Sequence, residues 1–360
     1  MFFTPTILNL FFLVILLLIF AGLLAISLRR AYRDQVFGNF DENVLVILPC
    51  KGKDVTLYEN ITSLLEQDYP SYRVLAVVDS LSDPAMQAIR DLKVDYLVSK
   101  TECQQCSGKV RAIASALEKY PDVPVYVVAD SDVTFPKGWL NSLVKPLGSP
   151  GVGVSTTFPH FVPTGGIWSR IKSVWGLVGI GLMQSRLTRF VWGGSMAFRR
   201  DLLGPEDVEY FKRHISDDVA IMRIARKKGL EISYVQAAAP MINSPDDYRT
   251  FREWSNRQTA LSISASRTIL RFGVLFYSSE IILLIGGIVF SIVFTPVFLF
   301  LLLPYLLFAY RNVQNHHDGG LYVFLIALII PFISMSSLIK AAGMEKIQWR
   351  GSEYDLTKQP

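Results

Sequence analysis

The sequence predicts an α/β domain built on a parallel sheet and joined to α-helices apolar enough to cross a membrane. Short Val/Ile/Leu runs alternate with amphipathic stretches between Val44 and Val128, two of those runs end in acids, and long uncharged segments lie on either side. With 51% apolar and 19% charged residues among 360, and a positive mean hydropathy, the chain is too apolar for an ordinary pair of soluble domains.

The first element runs from Pro5 to Leu28 without a charge. About 20 apolar residues span the hydrocarbon core as a helix, so residues 1–30 read as a transmembrane helix. No Lys or Arg precedes the run, unlike a cleavable signal peptide. Arg29, Arg30 and Arg33 follow it, and the positive-inside rule then places what comes next in the cytoplasm.

The domain, residues 40–272, opens with VLVILP (Val44 to Pro49), LYENITSLLEQ (Leu57 to Gln67) and VLAVVDS (Val74 to Ser80). It continues with PAMQAIRDL (Pro84 to Leu92), DYLVS (Asp95 to Ser99), KVRAIASALEKY (Lys109 to Tyr120) and VYVVADSD (Val125 to Asp132). Near-continuous apolar strands separated by helices imply a parallel sheet covered on both faces. Such sheets bind ligands at the carboxyl ends of their strands.

Apolar residues return from Val274 to Tyr310 and from Leu321 to Ala342. The first of these stretches contains Pro296 and Pro304, which predicts two helices broken near Thr295. Residues 273–342 therefore read as transmembrane or interfacial helices, with one segment re-entrant or lying in the interface. Residues 343–360 form a cytoplasmic tail, so the chain is expected to be a multi-pass integral membrane protein whose domain faces the cytoplasm.

Asp130-Ser131-Asp132 follows a buried run. Carboxylates spaced i, i+2 on a loop can hold Mg²⁺ or Mn²⁺ and leave positions for phosphate oxygens, although the same pattern suits solvated loop acids. Asp79 ends an earlier run and can accept hydrogen bonds from a base or ribose. Lys109 and Arg111 open a helix, whose N-terminus attracts phosphate. Paired glycines in Trp192-Gly193-Gly194-Ser195 permit close backbone approach to a ligand. Asp217 and Asp218 begin an amphipathic helix, where acids also simply complement the helix dipole. Trp254, Arg257 and Gln258, in WSNRQ, suit a diphosphate and acceptor site or interfacial anchoring. Cys103 and Cys106 lack a second pair for a zinc site, and reduced thiols are expected in the cytoplasm. The net charge of +5 is accounted for by membrane-facing basic residues, with no sign of nucleic-acid binding.

In order, LPCKGKD, LLEQDYPSYRVL, VVDSLSDPA, SGKVRAIASAL, ADSDV, GGSMAFRRDLL and ISDDVAIMRIARKKG resemble the ceramide glucosyltransferase family. These are membrane enzymes of the inverting GT-A class, related to cellulose and hyaluronan synthases. The tail IQWRGSEYDL resembles the family's closing Trp-Arg segment, which carries Trp349 and Arg350 as substrate-binding candidates. The resemblance implies a Rossmann-like GT-A, nucleotide-diphospho-sugar transferase fold. It also implies transfer of glucose from UDP-glucose to a lipid hydroxyl, with inversion and with Mg²⁺ or Mn²⁺.

By the same resemblance Asp79 binds uridine, Asp132 the metal, and Asp130 the ribose or the metal. Asp218 is the general base and Arg257 belongs to the catalytic set. Asp217→Asn is then expected to be milder than Asp218→Asn. Two departures stand out. Gln258 occupies the position of the family's Trp, which argues against polymer extension, and Thr156 stands where a His is expected, with His160 nearby. A processive polysaccharide synthase and a non-catalytic nucleotide-binding scaffold are the alternatives. The apolar segments are few for the channel that a synthase needs, and no internal repeat of the transporter kind is visible.

Overall fold

The computed structural model describes residues 5–30, 32–103 and 106–358. The chain opens with α1 (Pro5–Ser27), β1 (Val44–Pro49), α2 (Leu57–Leu65), β2 (Tyr72–Val78), α3 (Met86–Asp91) and β3 (Asp95–Val98). Next come α4 (Gly108–Lys119), β4 (Val125–Ala129), α5 (Trp139–Val144), β5 (Val152–Thr156), β6 (His160–Pro163), α6 (Ile167–Met183) and β7 (Ser195–Arg199). They are followed by α7 (Pro205–Phe211), α8 (Asp217–Lys227), β8 (Glu231–Tyr234), β9 (Met241–Ser244), α9 (Tyr248–Ala265) and α10 (Arg267–Val293). The last are α11 (Leu303–Asn315), α12 (Leu321–Ala327), α13 (Ile330–Ala342), β10 (Lys346–Trp349) and β11 (Ser352–Asp355).

Two compact units divide the chain. One comprises Arg33–Thr164, Val178–Ser244 and Glu345–Pro360, and it holds a seven-stranded sheet in the order β3-β2-β1-β4-β7-β5-β8. Side chains of successive strand residues point to opposite faces. Val44, Val46 and Leu48 of β1 therefore pack with Leu57 and Ile61 of α2, while Leu45 and Ile47 pack with Val110 and Ile113 of α4. This is the two-sided cover that the unbroken apolar runs require. α2 and α3 lie on one face and α4 on the other, so the winding reverses between β1 and β4. A crevice at the carboxyl ends of those strands is where ligands bind in such sheets.

The sheet is not wholly parallel. β7 runs antiparallel to both neighbours, β4 and β5. The parallel pairing expected between Val44 and Val128 is present throughout β1 to β4; β7 lies beyond that series, and a buried apolar run carries no information about strand direction. Two small pairs complete the unit: β6 with β9, and the hairpin of β10 and β11.

The other unit comprises Met1–Tyr32, Gly165–Leu177 and Pro245–Met344. Arg267–Val293 and Pro296–Asn315 are long and apolar enough to cross a membrane, and α12 with α13, bent by 45°, makes a third span if the pair is one. The break expected near Thr295 is present, since α10 ends at Val293 and a 3-10 turn starts at Pro296. α10 begins at Arg267, earlier than the apolar stretch suggested, because hydropathy marks the greasy part of a helix and not its hydrogen-bonded start. Arg311 on α11 donates to the carbonyls of Ile26 and Ser27, both at 3.1 Å. The last carbonyls of a helix lack i+4 partners within it, and a cation at that end complements the helix dipole.

Candidate active site

The sheet delivers its acids to one edge. β2 ends at Val78 and Asp79 follows; β4 ends at Ala129 and Asp130-Ser131-Asp132 follow. Asp79 pairs with Arg111 at 2.7 Å and lies 3.8 Å from Lys51. α4 starts where it does because the Ser107 hydroxyl accepts from the Val110 N–H at 3.1 Å, a side-chain N-cap. The first turn of α4 then places Lys109 and Arg111 among the carboxylates.

Lys109 is largely buried among carboxylates. Its Nζ lies 2.7 Å from Asp130 and 3.2 Å from Asp217, with only 11% of the side chain exposed. It thereby forms a buried link between the loop after β4 and the start of α8. Burial works against the ammonium, but Asp130 and Asp217 outweigh it and hold the Lys109 pKa above its ordinary value. Asp217 is pushed up to about 6 by burial, against the pull of Lys109, with Asp218 and Asp130 adding to the rise. Lys109 remains charged, because two carboxylates share it.

Asp217 and Asp218, neighbours on one helix turn, have different partners. Asp217 is buried against Lys109. Asp218 accepts from the Gly193 N–H at 3.2 Å, the Val219 N–H at 2.7 Å and the Ser216 hydroxyl, and it stays half-buried. A side chain at Gly193 would put its Cβ 2.6 Å from the Asp217 carboxylate and 2.9 Å from Lys109 Nζ. At Gly194 the Trp192 ring would lie 2.1 Å from such a Cβ, and the Gly194 carbonyl accepts from the Asp130 N–H at 3.1 Å. The paired glycines thus make room for the protein's own Asp217, Lys109 and Trp192 side chains. Thr156 serves the same turn, donating to the Ser195 carbonyl at 2.9 Å and accepting from the Trp192 N–H at 3.1 Å.

Asp132 keeps 45% of its side chain exposed and lies 3.6 Å from Arg350. Its pKa is raised to about 6, by burial first and then by the charges of Asp130 and Asp54, against Arg350 and Lys109. Nearly half of the side chain is in solvent, so the like charges of Asp130 and Asp54 crowd a carboxylate that burial alone does not enclose. Hard carboxylate oxygens with surplus negative charge are the donor set that Mg²⁺ or Mn²⁺ takes. Trp349 and Arg350 lie in the hairpin of the same unit, the Trp349 ring edge-on to Tyr354.

The chain matches the family model described as glycosyl transferase family 21 over residues 10–360. It belongs to that family. Family 21 is the ceramide glucosyltransferase family, so the resemblance carried by the ordered motifs holds at family level, and this family-21 chain is a glycosyltransferase. The mannosyltransferase PcManGT from Pyrobaculum calidifontis, solved in complex with GDP-Man and Mn²⁺, is similar to it in fold. The TM-score is 0.54 at 17% identity, covering 91% of this chain and 93% of that chain. Glucosyl-3-phosphoglycerate synthase from Mycobacterium tuberculosis, in complex with Mn²⁺, UDP and glucosyl-3-phosphoglycerate, gives a TM-score of 0.44 at 14% identity. That match covers 68% of this chain and 83% of the synthase. No curated protein matches the chain. The mostly parallel α/β sheet of the family-21 glycosyltransferase is a GT-A fold.

Of the residues singled out in the sequence, Asp79, Lys109, Asp130, Asp132, Gly194, Asp218, Trp349 and Arg350 fall in the sheet-bearing unit of the glycosyltransferase. Trp254, Arg257 and Gln258 lie on α9 in the other unit. There the Trp254 ring is edge-on to Trp175 at 5.1 Å, with Lys172 Nζ 4.5 Å from its centroid and Lys172 in turn 2.9 Å from Asp246. Sequence reasoning passed over Asp54, Lys51 and Tyr354. Asp54 closes LPCKGKD, a motif noted for its resemblance but not for its acid. Cys103 and Cys106, separated by 3 residues, are paired sulfur to sulfur.

Proposed function

We propose that this glycosyltransferase moves a hexose, glucose from UDP-glucose, onto a membrane-lipid hydroxyl at the cytoplasmic face, with inversion and with Mg²⁺ or Mn²⁺. The observation that carries this reading is the gathering of Asp79, Asp130, Asp132 and Asp218 at one edge of the sheet, with Lys109 tying two of their loops together. The family supports glycosyl transfer, and the structural neighbour solved with GDP-Man and Mn²⁺ supports a nucleotide sugar and a divalent cation. The apolar helices support a lipid acceptor and a multi-pass arrangement, with residues 1–30 and 273–342 in or on the membrane.

In this reading Asp132, with Asp130, holds the cation, which neutralises charge developing on the leaving diphosphate. Asp79, oriented by Arg111, accepts from the nucleoside. Asp218 is oriented by the Gly193 and Val219 N–H groups and takes the proton of the acceptor hydroxyl as it attacks the anomeric carbon opposite the diphosphate. Arg257 retains the catalytic role given by the resemblance, and Trp254, Gln258 and Trp349 are read as substrate contacts.

The test is to incubate the purified protein with a panel of nucleotide sugars and total membrane lipid, and to identify products by mass spectrometry. A single hexose added to a lipid from UDP-glucose is the expected product. A lengthening polymer, or transfer only to a water-soluble acceptor, would overturn the proposal.

A further inference from the structure

The C-terminal hairpin carries a cation into the acidic loops. Trp349 pairs with Ser352, which leaves Arg350 and Gly351 as a two-residue turn with φ of 49° and 77°. Positive φ at both positions is the signature of a type I′ turn, where Asn-Gly is the usual pair. A residue with a Cβ is disfavoured in the left-handed region, so Arg350 stands at the tip against its own backbone preference. Its guanidinium lies 3.4 Å from Asp54 and 3.6 Å from Asp132, and it donates to the Lys51 carbonyl at 3.0 Å. A second anchor holds the hairpin to α4, where the Gly108 N–H donates to the Tyr354 hydroxyl at 3.4 Å.

The two carboxylate contacts are long. Well-formed charge-assisted hydrogen bonds of this type measure about 2.7–2.9 Å, so Arg350 rests near Asp54 and Asp132 without being locked to them. Asp132 is also the carboxylate placed best to take a divalent cation, and a guanidinium and a metal ion compete for the same oxygens. A guanidinium is in addition the planar fork that matches a phosphate bidentately.

We propose that Arg350 is a tethered counter-ion of the metal-binding loop: a divalent cation displaces it from Asp132, and the freed guanidinium then takes the diphosphate of the donor. The hairpin therefore closes over the donor only when cation and nucleotide are both bound. This rests on the metal-dependent reading above and adds to it a binding role for the hairpin that depends on the order of loading.

The test uses the full chain in nanodiscs and measures Mn²⁺ binding by electron paramagnetic resonance, UDP binding by calorimetry, and hydrogen exchange of the hairpin amides. Arg350→Ala is expected to bind Mn²⁺ more tightly than the unaltered protein, up to about fivefold, the ratio commanded by an exposed ion pair. The same variant should bind UDP more weakly in saturating Mn²⁺. Arg350→Lys keeps the charge without the fork, so it should bind Mn²⁺ as the unaltered protein does and still lose UDP affinity. In the unaltered protein the hairpin amides should exchange faster with Mn²⁺ alone and slower once UDP is added. Unchanged or weaker Mn²⁺ binding by Arg350→Ala, with hairpin exchange indifferent to Mn²⁺, would overturn the proposal while leaving the metal requirement standing. No Mn²⁺ or Mg²⁺ binding by the unaltered protein would remove both.

Discussion

Lys109 shows how a single residue changes the meaning of its neighbours. Because its ammonium lies between Asp130 and Asp217, Asp217 has a structural partner and Asp218 is left with two backbone N–H groups and a hydroxyl. Asp218→Asn is expected to lower turnover by about 10²-fold, the usual loss for a general base, with UDP binding nearly intact. Asp217→Asn now has a different expected outcome from the mild one the sequence suggested. Removing one partner of a buried charge pair destabilises by about 3–5 kcal/mol, so the variant should lose thermal stability and weaken metal binding through Asp130. Steady-state kinetics alongside calorimetric unfolding separates the two; normal stability for Asp217→Asn would refute the link. Asp79, Asp130 and Asp132 were legible because each follows an apolar run that had to be a buried strand. The role of Lys109 was not, since its partners come from two distant segments and spacing along the chain carries no trace of them.

Single elements were read well where burial dictates them and poorly where a turn or a direction is at stake. The alternating series from β1 to β4 follows from apolar runs and helical periodicity alone. The antiparallel setting of β7 and the tip of the hairpin do not, since each depends on what the chain must reach across space. Gly193 belongs to the second kind: its missing side chain is demanded by Asp217 and Lys109. Gly193→Ala should therefore destabilise by about 1–3 kcal/mol, the penalty of overpacking, and reduce turnover by disturbing Asp218; unfolding in urea would measure the first effect. At α7, Asp207 accepts from the Gly204 N–H at 2.9 Å and pairs with Lys228 at 2.7 Å. Partial burial opposes its charged form, but Lys228 and the Gly204 N–H outweigh burial and hold its pKa below the usual carboxylate value. A lowered folded pKa means that the carboxylate contributes stability above its unfolded pKa of about 3.9, and that this is lost as pH falls through the folded value. Asp207→Asn should accordingly flatten the acid limb of the stability profile below about pH 4, and an unchanged limb would contradict the assignment.

For the whole molecule, metal dependence and orientation are the properties to measure. Chelation by EDTA is expected to abolish transfer, with recovery on adding Mg²⁺ or Mn²⁺; full activity in excess chelator would end the metal reading. Protease added to vesicles with the cytoplasmic side out should cleave between Asp34 and Arg271, and sealed vesicles of the opposite orientation should be protected there. Hydropathy made the apolar segments visible, and among the described residues two helices, or three with the bent pair, are long and apolar enough to span a membrane. The division into units was beyond its reach, because α9 is amphipathic and reads like any surface helix.

The sheet-bearing unit draws on three separate stretches, and Pro245–Met344 is synthesised before the hairpin that completes it. On a ribosome, then, Asp54 and Asp132 emerge long before Arg350, and the apolar helices are made in between. The nascent chain therefore carries Asp54 and Asp132 without the Arg350 counter-ion until the apolar helices have been made, so the pairing of those loops with the hairpin comes last in the order of translation itself.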